Sequence, residues 1–123
     1  MNARDEIVLF HNPRCSKSRA ALDLLRGRGV EPRIVEYLKT PPTLDELRAV
    51  LEKLQLKAED IVRKGEDLYK SDYRGRTLGT AEWLAVLHEH PILLERPIAI
   101  RGVSAVVGRP PEKVLTLLEG DQD

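Results

Sequence analysis

The feature that most constrains the fold of this chain is a handover near its start, VLFHNPRCSKSR at residues 8–19. Residues 6–10 form a short apolar run, too brief for a helix and closed by the turn pair Asn12-Pro13, which reads as a buried strand. From Ser18 onward Ala21, Leu22 and Leu25 recur at helical spacing. The run Arg26-Gly27-Arg28-Gly29 then puts cations in the last turn and glycines at a left-handed stop. Residues 32–37 offer a second strand around Ile34 and Val35. Strand, helix and strand in that order make a right-handed βαβ unit if the two strands pair in parallel.

Beyond Thr40-Pro41-Pro42, Thr43 and Glu46 have the spacing of a capping box, and Leu44, Leu47, Leu51 and Leu54 make a stripe on one helical face. A helical, charge-rich middle is expected over residues 58–69, a polar loop over 70–79, and a helix over 80–88 carrying Leu84 and Leu87. Residues 97–100 and 104–107 read as two strands joined tightly at Arg101-Gly102, an antiparallel hairpin. A last helix starts near Pro110-Pro111, where proline suits a first turn, and buries Val114, Leu117 and Leu118. The order is βαβ, then helices, then ββα.

Composition narrows the function classes. The 123 residues, 41% of them hydrophobic, suffice for one soluble domain with a core of its own. Twenty basic and twenty acidic side chains cancel, so no global field favours nucleic acid or an anionic membrane, and any anion recognition must be local. No apolar run approaches the roughly 20 residues of a membrane span, and MNARDEIVLF lacks a signal-peptide pattern, so a cytoplasmic location is expected. Trp83 and the three tyrosines are read as packing residues and not as a stacking platform for nucleic acid. His88-Glu89-His90 lacks the i, i+4 spacing of a helical zinc site, and no metal is expected.

The single cysteine, Cys15, is the candidate for chemistry. A lone cysteine is commonly a small buried hydrophobe. This one follows a proline turn at the start of a helix, where free backbone N–H groups and the positive dipole end favour an anion, and Arg14, Lys17 and Arg19 add charge. Such a setting favours the thiolate and can cradle a tetrahedral oxyanion beside the sulfur. A tyrosine-phosphatase loop would need arginine six residues on, where Ala21 stands, and a dithiol motif would need cysteine in place of Ser18. What remains is a monothiol, C-x-x-S, which forms an adduct or mixed disulfide but cannot resolve it from within the chain. His11, beside the turn, either caps the loop or acts on the thiol, with capping the favoured reading.

Four blocks in order, FHNPRCSKSR, RKGEDLYK (residues 63–70), ERPI (95–98) and GRPPE (108–112), resemble the glutaredoxin-coupled arsenate reductases, most closely a shorter branch of them. The resemblance runs nearly end to end. It implies an α/β, thioredoxin-like fold: a central mixed four-stranded sheet, βαβ…ββα, in a single domain over residues 1–123. A helical insertion at about 43–90 separates the second and third strands. It further implies Cys15 as nucleophile, Arg63, Arg96 and Arg109 converging on the oxyanion, and a cis peptide before Pro97, which shapes the wall facing the cysteine. The activity it implies is reduction of arsenate to arsenite, with glutathione as co-substrate, glutaredoxin as partner and no bound cofactor. The better known members have a glycine-threonine start where this chain has Ser16-Lys17-Ser18. Lys17 either helps hold an anion or is merely solvated.

Arginine suits the assigned role because its planar fork binds oxyanions bidentately and stays charged. Two other functions fit the same site: a glutathione-dependent thiol oxidoreductase with another substrate, and a non-enzymatic redox sensor or RNA-polymerase-binding regulator. Regulators of this kind typically carry C-x-x-C, which places that reading last.

Overall fold

The computed structural model describes residues 6–119. They divide into two compact units, one made of the chain up to Thr40 and from Arg96 onward, the other of Pro41–Glu95.

The first unit holds a four-stranded sheet in the order β2-β1-β3-β4, with strands β1 Ile7–Phe10, β2 Arg33–Val35, β3 Ile98–Arg101 and β4 Ser104–Val107. β1 and β2 pair in parallel, Phe10 opposite Val35. β3 runs antiparallel to β1, Phe10 opposite Ile98, and β4 antiparallel to β3, Ile98 opposite Val107. The parallel pair needs a crossover, and α1 (Ser16–Gly27) supplies it. Ala21, Leu22 and Leu25 of α1 pack with Ile7, Leu9, Ala99, Val114 and Leu117 in one core cluster. α1 ends where Gly29 turns to φ +77°, its N–H donating to Arg26 O while Val30 N–H donates to Leu25 O, both at 3.0 Å. These bonds satisfy last-turn carbonyls. The β3–β4 hairpin turns at Gly102-Val103, one residue later than the sequence suggests, because Arg101 still pairs with Ser104. Gly102 has φ +59°, the sign that a II′ turn requires at its first central position. This is the thioredoxin-like arrangement that the resemblance implies.

The last helix begins as a 3-10 stretch, Pro111–Leu115, and only α5, Thr116–Glu119, is α-helical. Val114 and Leu117 are buried as anticipated, and Leu118 packs partly against the same cluster.

In the second unit, α2 (Leu44–Leu54) starts on the anticipated capping box: Glu46 N–H donates to Thr43 Oγ1 at 3.1 Å and Thr43 N–H to Glu46 Oε1 at 2.9 Å. The buried face of α2 is Leu47, Val50 and Leu51, so the stripe is rotated towards Val50, with Leu44 and Leu54 at its edges. Residues 58–69 are not one helical stretch. They break into a 3-10 turn, Ala58–Ile61, an isolated antiparallel bridge between Val62 and Leu94, and a short helix α3, Asp67–Asp72, which also takes up the start of the expected loop. Gly65 and a β-branched Ile61-Val62 pair interrupt the helical pattern there. α4 (Thr80–Glu89) buries Trp83, Leu84 and Leu87. Trp83 lies under Tyr69 and Tyr73, ring centroids 6.3 and 5.9 Å away, so the aromatics form a packing cluster. Among the described residues no helix is long and apolar enough to cross a membrane.

Candidate functional site

Cys15 is the N-cap of α1, with extended backbone (φ −95°, ψ 123°) and no side-chain bond to the first turn. Its N–H donates to Asn12 O at 2.9 Å, and its carbonyl accepts the first helical bond, from Arg19 N–H at 3.0 Å. The loop before it is tied at every step. Asn12 Oδ1 accepts from Arg14 N–H at 3.0 Å, Arg19 Nη1 donates to Pro13 O at 3.0 Å, and Asn12 N–H reaches Ser18 Oγ at 3.4 Å. Asparagine suits this turn because its side chain bonds its own backbone two residues on. The partly exposed thiol therefore sits at a helix start whose N–H groups, those of Ser16, Lys17 and Ser18, helix geometry leaves without intrahelical partners. Ser18 is fully buried. The position where a dithiol would carry its second sulfur is here a hydroxyl that holds the loop.

His11 is 6% exposed, and its N–H donates to Val35 O at 2.9 Å, which extends the β1–β2 ladder by one bond. Burial pushes its pKa below the ordinary value, against the nearby Glu36 carboxylate, which raises it, while Arg26 and Arg19 lower it further. Its Nδ1 is buried and makes no hydrogen bond among the described residues.

The strand register decides what lies near this loop. Phe10 faces both Val35 and Ile98, and Ile98 faces Val107. The C-terminal ends of β1, β2 and β4 and the start of β3 thus share one end of the sheet. From that end emerge the Cys15 loop, the segment after Val35, Arg96-Pro97 and Gly108-Arg109. The Arg96–Pro97 bond is cis, as the resemblance implies, and so is Arg109–Pro110. Gly108 N–H donates to Pro97 O at 2.8 Å, and Arg109 Nη1 donates to Arg96 O at 3.1 Å. Arg96 and Arg109 are brought together in this way, and Arg96 Nε is buried without a hydrogen bond among the described residues. A Cβ on Gly108 would stand 2.8 Å from Pro97 Cγ and 3.0 Å from Val114 Cγ1. Only glycine lets the two segments approach this closely.

Arg63 belongs to the Pro41–Glu95 unit. The Val62–Leu94 bridge, extended by Arg63 N–H to Leu93 O and Glu95 N–H to Ile61 O, fixes its backbone. Two carboxylates hold its side chain: Glu66 Oε2 lies 3.2 Å from Nη1 and Glu95 Oε1 lies 3.5 Å from Nε, all three side chains being about one-quarter exposed or less.

A protein-family model, that of the ArsC family, matches residues 10–117. The chain belongs to the ArsC family. It is 47% identical over 115 residues to an arsenate reductase of Neisseria meningitidis serogroup A, covering 92% of this chain and 98% of that protein. To an arsenate reductase of Escherichia coli it is 35% identical over 123 residues, covering 94% and 83%. The solved structure of an arsenate reductase from Vibrio cholerae superimposes with a TM-score of 0.88 at 41% identity, covering 94% of this chain and 99% of that one.

Within this ArsC-family chain, several residues that shape the site escape a reading of the sequence. Glu66 and Glu95 stand inside the RKGE and ERPI blocks, and only folding shows that both reach Arg63. Gly108 carries a signal, since a glycine between a strand and Arg-Pro-Pro marks a tight approach. Glu36, Leu38 and Lys39 carry none, yet with His11, Asn12, Pro13 and Arg14 they line a cleft of about 290 Å³.

Proposed function

We propose that this chain is an arsenate reductase that works with one protein thiol, Cys15, and takes its second thiol from glutathione, with glutaredoxin as the coupling partner. The observation that supports this most is the setting of Cys15. It is an N-cap thiol on a loop pinned from both sides, at the sheet end that also carries Arg96 and Arg109, in a chain of the ArsC family. Ser18, buried where a resolving cysteine would stand, supports an external second thiol.

In this reading the first-turn N–H groups of α1 and the guanidinium groups of Arg96 and Arg109 neutralise arsenate, which keeps its charge from opposing a thiolate. The Cys15 thiolate attacks arsenic, and one arsenate oxygen leaves as water after taking up protons. A glutathione thiolate then provides the second sulfur. Arsenic accepts two electrons and departs as arsenite, while two sulfurs are oxidised to one disulfide, which glutaredoxin removes. The balance is one arsenate and two thiols to one arsenite, one disulfide and one water. The protein's share of the catalysis is charge stabilisation and positioning, and no bound cofactor takes part.

The test is arsenate reduction by the purified chain with glutathione and glutaredoxin, each component omitted in turn, beside Cys15→Ser. Full activity needs all components, and the serine variant is inactive yet folded. Multiple turnover without glutathione, or turnover by Cys15→Ser, would sink the proposal. Turnover of a glutathionylated protein in place of arsenate would put the thiol-oxidoreductase reading first.

A further inference from the structure

The cleft of about 290 Å³ lined by His11, Asn12, Pro13, Arg14, Glu36, Leu38 and Lys39 is not accounted for by oxyanion binding. One wall is the loop that ends in Cys15, since Asn12 O accepts the Cys15 N–H. The other wall is the segment leaving β2, which the parallel register brings to the same end of the sheet. Its chemistry is mixed: two cations, Arg14 and Lys39, one carboxylate, Glu36, an apolar side chain, Leu38, which is 44% exposed, and a buried imidazole. Lys39 Nζ and Glu36 Oε1 stand 3.5 Å apart and are both open to solvent, so each is available to a ligand of opposite charge. His11, 6% exposed, adds a buried ring nitrogen, Nδ1, with no hydrogen-bond partner among the described residues. A buried polar atom left unpaired costs free energy that a ligand can recover.

We infer that this cleft seats the peptide part of the second thiol, a small zwitterionic thiol of the glutathione class. A carboxylate of that peptide lies between Arg14 and Lys39, its ammonium group faces Glu36, and an amide pairs with His11. An inorganic oxyanion has no use for Glu36 or Leu38, whereas a short peptide carrying both charges uses the whole set. The cleft borders the Cys15 loop, so a ligand anchored there by its ends presents its sulfur on the side of the nucleophile. The binding is non-covalent and precedes any exchange. This inference rests on the proposed function for its meaning, but the binding itself does not.

S-methylglutathione, which cannot form a disulfide, titrated into the full chain carrying Cys15→Ser and followed by amide NMR shifts, tests it. The expected shifts concentrate at residues 11–14 and 36–39, and Lys39→Glu weakens binding about fivefold or more, the scale of an exposed charge contact reversed. In the coupled assay Lys39→Glu raises the glutathione KM and leaves the arsenate KM unchanged. Shifts centred elsewhere, or equal binding by Lys39→Glu, would overturn the inference even if arsenate is reduced. Shifts in the cleft in a chain that does not turn over arsenate would leave it standing and remove the arsenate reading instead.

Discussion

Replacing Gly108 by alanine tests the close approach that joins the Arg109 segment to Pro97. The backbone of Gly108 does not have positive φ, so alanine meets no conformational penalty and the cost is purely steric. The new methyl would stand 2.8 Å from Pro97 Cγ and 3.0 Å from Val114 Cγ1. Neither neighbour is the free end of a flexible side chain, since Pro97 is a ring closed on its own backbone and both are fully buried. Overpacking of this kind costs about 1–3 kcal/mol, and the smaller freedom of alanine in the unfolded chain returns about 0.4–1 kcal/mol. The net loss is about 1–2 kcal/mol, a fall in Tm of roughly 4–8 °C for a domain of this size. Urea denaturation followed by circular dichroism measures it. Val114→Ala alone costs about 2 kcal/mol through lost burial, but it also removes the methyl nearest the new one. The double variant should therefore be at least about 0.5 kcal/mol more stable than the sum of the single losses predicts. A stabilised Gly108→Ala, or strict additivity with Val114→Ala, would refute the packing argument.

His11 is buried with its pKa lowered by that burial. The unfolded chain therefore binds more protons than the folded one between the lowered value and about 6.5, and stability should fall as pH drops through that window. His11→Gln should flatten this part of the profile, and an unchanged slope in urea midpoints against pH would contradict it. Thr43→Ala removes the oxygen that accepts Glu46 N–H and should cost about 1 kcal/mol, read from the same denaturation curves, with Thr43→Ser close to neutral. Arg96→Lys keeps the charge but loses the fork, so under the proposed function it should raise the arsenate KM about tenfold, the value of one charged hydrogen bond. An unchanged KM would remove Arg96 from the oxyanion site.

The elements with strong local signals were legible in advance. The β1 run ending at Asn12-Pro13, the α1 spacing of Ala21, Leu22 and Leu25, the Thr43 capping box and the 97–107 hairpin all depend on neighbours a few residues apart. The middle of the chain was not, because residues 58–69 are held by a bridge to Leu94, some thirty positions on, and no local period records such a contact. The last helix starts where Pro110-Pro111 indicate, but its first turns are wound as 3-10.

Taken alone, the sequence determined that a single thiol follows a strand and opens a helix, that no second cysteine can resolve it, and that the charges balance so that any anion site is local. These are matters of composition and short-range order. Tertiary structure decided the rest: that Ser18 is sealed off as a loop anchor, that Arg96 and Arg109 are linked through a backbone carbonyl at the Cys15 end of the sheet, and that Arg63 is clasped by Glu66 and Glu95. It also decided that residues 11–14 and 36–39 enclose one cleft. Each of those facts follows from strand register and from packing between distant segments, where the free energy of a contact depends on which partners the fold delivers and not on the residues that precede it in the chain.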